Sequence, residues 1–289
     1  MLLQNTTHLF CFGLGYVGSA LCEALLQRGW KISGTVRTEE RRLEMAEKGF
    51  EVFLVQDSIS DSMKKALSQA SHILVTVPPT PDGDPIFNAY HAILSFNAQH
   101  VVWLGYLSST IVYGDAKGGW VDEKTPTNPN NARGIRRVEA ELHWANSGLA
   151  CHIFRITGIY GPNRNALEKV KKGTAKPVIK ENHVSCRIHI YDLIATLMAS
   201  MNQPNSGSIY NLADDVPAPF HDVISYAAQL LNIAPPITRT IEEAKLSPMA
   251  LSFYDGCRRI KNDKIKDDLG IILKYPNYRE GLQALIKNL

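Results

Sequence analysis

Gly13, Gly15 and Gly18 form a Gly-x-Gly-x-x-Gly pattern, with the apolar run His8–Phe12 before it and an amphipathic stretch ending at Gly29 after it. In such a pattern the first glycine permits a tight turn. The second lets the backbone approach a pyrophosphate, and the third allows a helix to pack closely on a strand. Leu14, Tyr16 and Val17 complete the loop, whose backbone N–H groups at a helix start suit phosphate oxygens. The next apolar run ends Gly34-Thr-Val-Arg37-Thr38. An acid at that point would accept a ribose 2′-OH, whereas Arg37 can bind a 2′-phosphate. A solvated surface arginine is the plain alternative. The expected ligand is therefore NADP, with NAD as the alternative. Asp57 and Ser58, past the third apolar run, are candidates for contact with an adenine or for an ordinary helix cap. Val77, Pro78 and Pro79, past the fourth, make a rigid wall beside a bound dinucleotide, because proline has no N–H to donate.

These residues need a scaffold that repeats strand and helix. Strands are expected at His8–Phe12, Lys31–Val36, Glu51–Val55, His72–Val77, Val101–Tyr106 and Cys151–Arg155. Helices are expected at Ser19–Arg28, Glu39–Lys48, Asn88–Phe96 and Arg133–Asn146. The alternation predicts an α/β fold, a Rossmann-type doubly wound parallel sheet with a smaller C-terminal substrate lobe. After Gly158 the rhythm loosens, with isolated helices at Leu193–Met201 and His221–Leu231. Residues 1–157 plus 187–213 are assigned to the dinucleotide-binding domain. Residues 158–186 plus 214–289 are assigned to the substrate lobe.

Composition removes several classes of function. In 289 residues, 45% hydrophobic and 20% charged, a net charge of +3 spread along the chain is no nucleic-acid footprint. Cys11, Cys22, Cys151, Cys186 and Cys257 are odd in number and form no Cys-x-x-Cys pair, against a disulfide framework or a zinc site. His183 and His189 have no Cys or carboxylate at ligand spacing, so no metal is expected. No apolar run approaches the roughly 20 residues of a membrane span, and no signal peptide is read at the N-terminus. The expectation is a cytoplasmic protein acting on a small molecule, without nucleic-acid or membrane partners.

Longer segments carry a resemblance. Leu107-Ser-Ser-Thr-Ile-Val-Tyr-Gly-Asp115, Phe154-Arg-Ile-Thr-Gly-Ile-Tyr-Gly-Pro-Asn-Arg164, Arg187-Ile-His-Ile-Tyr-Asp192 and Ile209-Tyr-Asn-Leu-Ala213 join the glycine loop. Together they resemble the extended short-chain dehydrogenase/reductase superfamily, of the NAD-dependent epimerase/dehydratase type, over nearly the whole chain. The resemblance implies hydride transfer between a nicotinamide and a sugar carbon. It implies a Tyr-x-x-x-Lys pair on one helix and a Ser or Thr on the reacting oxygen, and a homodimer is the assembly it allows. Ser109 matches the serine; capping its own loop is the alternative role for that hydroxyl.

The tyrosine and lysine are where the chain departs from the pattern. Their slots hold Arg133 and Arg137, which share one helical face at i, i+4 spacing but stay protonated and cannot act as a general base. The chain thereby resembles the atypical members, which keep the fold and often the cofactor. Tyr113-Gly-Asp-Ala-Lys117 spells the missing pattern in a glycine-rich loop. Tyr113 remains a candidate to face substrate. Arg155, Arg164 and Arg187 are candidates to clamp an anionic substrate group; for the helix arginines the plain alternative is a solvated face, with Arg137 pairing Glu141. Three readings follow: an NADP-dependent oxidoreductase or epimerase-like enzyme on a nucleotide sugar or related carbonyl compound, a non-catalytic NADP-binding sensor or scaffold, and an epimerase using Tyr113 and Lys117.

Overall fold

The computed structural model describes residues 7–55, 58–247, 251 and 254–287. In chain order the first elements are β1 (His8–Phe12), α1 (Tyr16–Leu26), β2 (Lys31–Val36), α2 (Glu39–Glu47), β3 (Glu51–Leu54) and α3 (Asp61–Gln69). Next come β4 (His72–Val75), α4 (Pro85–Phe96), β5 (Trp103–Ser109), a 3-10 turn at Thr110–Tyr113 and β6 (Trp120–Val121). They are followed by α5 (Ala132–Ala145), β7 (Cys151–Ile156), β8 (Gly158–Tyr160), α6 (Ala166–Lys171), β9 (Arg187–His189), α7 (Ile190–Asn202), β10 (Ile209–Leu212), α8 (Phe220–Leu230) and β11 (Arg259–Ile260). Helices Asp263–Leu269 and Tyr278–Ile286 come last.

Seven strands form one sheet in the order β10-β7-β5-β4-β1-β2-β3. The chain starts in the middle at β1, runs to one edge through β2 and β3, then returns to β4 and builds the other half. This is the doubly wound α/β arrangement, with β1 paired in parallel to both β2 and β4. Every residue of β1 and β4 is buried, which is why both read as unbroken apolar runs rather than alternating ones. The direction of winding reverses between β1 and β4, and in open sheets that switch point is where ligands bind, beyond the strands' carboxyl ends.

The chain divides into two units. The first runs to Ser108 and adds Arg136–Arg155 and Leu197–Tyr210; the second holds Ser109–Ile135, Ile156–Thr196 and the chain from Asn211 onward. The first unit's core packs Phe10, Phe12, Ile73, Val75, Leu104 and Tyr106 with Tyr90, Leu94, Ala140 and Trp144. Each large side chain buried there contributes about 1.5–3 kcal/mol. Trp144 donates its indole N–H to Asp84 Oδ2 at 2.9 Å, and Asp84 Oδ1 caps α4 through Ile86 and Phe87. The second unit's core joins Tyr160, Leu167, Val223, Ile224, Ala227, Tyr278 and Leu282. Two small parallel ribbons, β8 with β9 and β6 with β11, also lie there.

Candidate active site

The glycine loop has three glycines with three different requirements. Gly13 has φ of +96°, and a Cβ there would come within 2.5 Å of Thr76 Oγ1. Its N–H donates to Thr35 Oγ1 at 3.0 Å, and Thr76 Oγ1 donates to Gly13 O at 2.8 Å, so β2 and the end of β4 hold the turn. At Gly18 a Cβ would lie 2.4 Å from Gly13 O and 2.9 Å from Cys11 Sγ, so only glycine lets α1 sit against β1. Gly15 differs. Its φ of −85° and ψ of −158° are open to any residue, and a Cβ there would meet nothing within 4 Å. Nothing inside the described protein explains this glycine, whereas a group approaching the backbone from outside would. Gly15 is also the N-cap of α1, and no side chain caps that helix.

Arg37, just after β2, is exposed and has no hydrogen-bond or ion-pair partner among the described residues. A second arginine lies on the loop itself. Arg41, in the first turn of α2, donates from Nη2 to Leu14 O at 3.2 Å and to Ser19 Oγ at 2.9 Å. Its Nη1 donates to Glu44 at 2.5 Å. Arg41 thus fastens α2 to the glycine loop. Its position one helical turn after Arg37 is the only sequence signal for this role. Ser58 is exposed, and the cap of α3 is Ser60, which accepts from Met63 N, so the helix-cap alternative for Ser58 is corrected. Asp57 lies outside the described residues. Past β4, Val77 Cγ2 stands 3.0 Å from the position of a Gly13 Cβ, and Pro78 and Pro79 follow, exposed and half-buried.

A buried polar network ties α5 to β5 and β7. Glu141 accepts from Arg155 Nη2 at 2.7 Å and Nε at 3.2 Å, and from Ser108 Oγ at 2.5 Å. Both partners of the ion pair are about 5% exposed. Arg155 is therefore committed to an internal carboxylate, which corrects its expected substrate-side role. Arg137 does not pair with Glu141 either: its Nη1 donates to Leu107 O at 2.7 Å and Tyr106 Oη at 3.1 Å. Burial pushes the Tyr106 phenol well above its usual range, against the opposing Arg137 charge.

In the second unit, Ser109 Oγ accepts from Ile111 N at 3.3 Å, the loop-capping role, which leaves its own proton to donate. Tyr113 is buried and donates to Asn211 Oδ1 at 2.8 Å; Asn211 N in turn donates to Glu123 Oε1 at 2.7 Å. That anchoring corrects the expectation that Tyr113 faces substrate. Lys117 is exposed at φ +51° between two glycines of positive φ, so the Tyr113/Lys117 spelling is a turn and not a helical face. Arg133 is exposed in the first turn of α5, without a partner among the described residues. Arg164 is exposed in the turn closed by paired Gly161 and Arg164 backbone bonds. Arg187 is buried, donating from Nη2 to Ala218 O at 3.0 Å and lying over the Tyr278 ring, while its Nη1 has no hydrogen-bond partner.

This sheet order and glycine loop define an α/β chain with a Rossmann-type doubly wound fold, which solved epimerases and dehydratases share. The dTDP-glucose 4,6-dehydratase of Bacillus anthracis str. Ames, solved with NAD, shares that fold at a TM-score of 0.76 and 17% identity, over 98% of this chain and 96% of that one. The solved structure of a functionally unknown conserved protein from Silicibacter pomeroyi DSS is 42% identical, covering 98% of this chain and 99% of that one, with a TM-score of 0.93. The chain belongs to the family of that protein. Protein YeeZ of Escherichia coli K12 is 29% identical over 279 residues, 92% of this chain and 95% of that protein. No family model matches. No helix among the described residues is long and apolar enough to cross a membrane.

Proposed function

We propose that the chain is an NADP-dependent oxidoreductase of the atypical short-chain dehydrogenase type, acting on a nucleotide sugar or related carbonyl compound. The observation that carries this reading is Gly15, a glycine with no internal requirement at the head of an uncapped helix. The loop residues Gly13–Gly18 would hold the pyrophosphate through backbone N–H groups and the α1 dipole. Arg37 would hold the 2′-phosphate, and Arg41 would keep the loop in place. When bound, the nicotinamide supplies hydride transfer. NAD, the ligand of the Bacillus anthracis dehydratase, is the alternative cofactor.

The chain's own contribution is to the reacting oxygen. Ser109 Oγ accepts from Ile111 N and keeps its own proton, which it would donate to a developing alkoxide. Arg133 would bind an anionic group of the substrate. Arg137, permanently charged, would favour negative charge on a carbonyl oxygen without moving a proton itself. The slots of the usual acid/base pair thus hold two cations, and Tyr113 is occupied by Asn211. A non-catalytic NADP sensor is the second reading, favoured by that same replacement.

Consumption of NADPH against a panel of nucleotide sugars and simple carbonyl compounds separates the two. Turnover is expected, with Ser109→Ala slowing it roughly 10–100-fold, the loss of one hydrogen bond to a charged group. Lys117→Ala is expected to leave it unchanged. Absence of turnover on the whole panel, with NADPH bound, would leave the sensor reading standing.

A further inference from the structure

The Leu14–Gly15 peptide of the glycine loop is fixed at its carbonyl end and free at its N–H end. Just before it, Leu14 N donates to Thr35 O at 2.9 Å, which ties the chain to β2. Leu14 O accepts from Ser19 Oγ at 3.0 Å, from Arg41 Nη2 at 3.2 Å and from Arg41 Nε at 3.4 Å. Ser19 is buried and its Oγ accepts from Arg41 Nη2 at 2.9 Å, which leaves its own proton for Leu14 O. A peptide is planar and trans, so a carbonyl drawn toward α2 turns the N–H of the same peptide the opposite way. That N–H belongs to Gly15, which is exposed, and it has no acceptor among the described residues.

The nitrogens of Arg41 are all committed. Nε and Nη2 are spent on Leu14 O and Ser19 Oγ, and Nη1 on Glu44 at 2.5 Å. Arg41 therefore turns toward the loop, whereas Arg37 is exposed and without a partner among the described residues. Arg42, the next cation along α2, is paired with Glu39. A guanidinium on a carbonyl oxygen polarises the whole peptide, so the N–H at its other end becomes a stronger donor. Arg37 and Arg41 are thus placed for different parts of one ligand, the first directly and the second through a peptide.

We propose, on the reading that this loop holds a dinucleotide, that Arg41 is a positioning residue for the pyrophosphate. Through Leu14 O it aims and strengthens the Gly15 N–H, and it does not touch the 2′-phosphate. Amide NMR spectra of the isotope-labelled full chain, without any nucleotide, give the first readout. In Arg41→Met the Gly15 amide proton should move upfield, by more than any other amide from Gly13 to Gly18. Ser19→Ala should move it the same way by less. Calorimetric titration gives the second readout. Arg41→Met should weaken NADPH and NADH by the same factor, about tenfold or more, the worth of a charge-assisted hydrogen bond turned aside. Their affinity ratio then stays that of the parent. Ser19→Ala keeps the arginine charge in place, and carries the same comparison if Arg41→Met does not fold. A loss confined to NADPH would put Arg41 on the 2′-phosphate and overturn the proposal. An unmoved Gly15 amide would overturn it too, as would unchanged affinities beside a lowered thermal midpoint, the mark of a purely structural tie. If the parent binds neither nucleotide the cofactor reading fails, while the Gly15 shift still decides whether Arg41 acts on the peptide.

Discussion

Replacing Glu141 with alanine is expected to lower folding stability by about 3–5 kcal/mol, the typical cost of removing one partner of a buried ion pair. The geometry explains why the loss falls at the upper end of single substitutions. Arg155 is buried on β7 and spends Nε and Nη2 on the Glu141 carboxylate. Alanine would leave that guanidinium charged, because arginine does not deprotonate, and Ser108 Oγ would lose its acceptor as well. Removing both charges is a different experiment. Glu141→Leu with Arg155→Met should recover much of the loss, since the pair's desolvation is then no longer incurred. Urea unfolding midpoints of the three proteins check this. A Glu141→Ala loss below about 1 kcal/mol would mean that the pair is solvent-screened, contrary to its burial.

Gly15→Val is expected to leave the fold intact and abolish dinucleotide binding, by about a thousandfold or more. The backbone at Gly15 is extended, which valine adopts readily, and its Cβ direction is open. A pyrophosphate held by backbone N–H groups would be pushed off by the isopropyl group, losing at least two charge-assisted bonds of about 1.5–3 kcal/mol each. Gly18→Ala supplies the contrast: its Cβ would collide with Gly13 O, so stability and binding should fall together. Thermal midpoints measured beside calorimetric titrations distinguish the two. A Gly15→Val protein that binds as well as the parent would remove the main support for a phosphate at this loop.

The sheet was legible in the sequence because most of its strands are buried on both faces, the edge strand β3 excepted. His8–Phe12 and Lys31–Val36 read as strands with the bounds they have in the structure. Strand β5 was read as Val101–Tyr106 but runs Trp103–Ser109. Its last residues are serines, polar in the sequence, and Ser108 is buried only because Glu141 accepts its proton. Helix α3 was not read at all: it buries only Met63, Ala66 and Leu67, too short an apolar stripe to stand out. The glycine loop carried its own signal, since a turn, a helix start and a strand each demand a particular residue type there. The arginines were harder. Arg133, Arg137 and Glu141 lie on one helical stripe, and spacing alone suggested that Arg137 meets Glu141 across one turn. Tertiary partners overrode that local pairing: Leu107 O takes Arg137, and Arg155, distant in sequence, takes Glu141. Tyr113 was misleading for a related reason, because its burial against Asn211 depends on β10, nearly a hundred residues later.

An NADP site made by Gly13–Gly18 and Arg37 is tested by calorimetric titration with NADPH and NADH, on the parent and on Arg37→Ala. The exposed, unpartnered Arg37 should make NADPH bind about 10–100-fold more tightly than NADH, the worth of one charge-assisted contact to a phosphate. Arg37→Ala should remove that preference while NADH affinity stays the same. Equal binding of the two nucleotides by the parent would contradict the NADP assignment, and binding of neither would contradict the cofactor site itself.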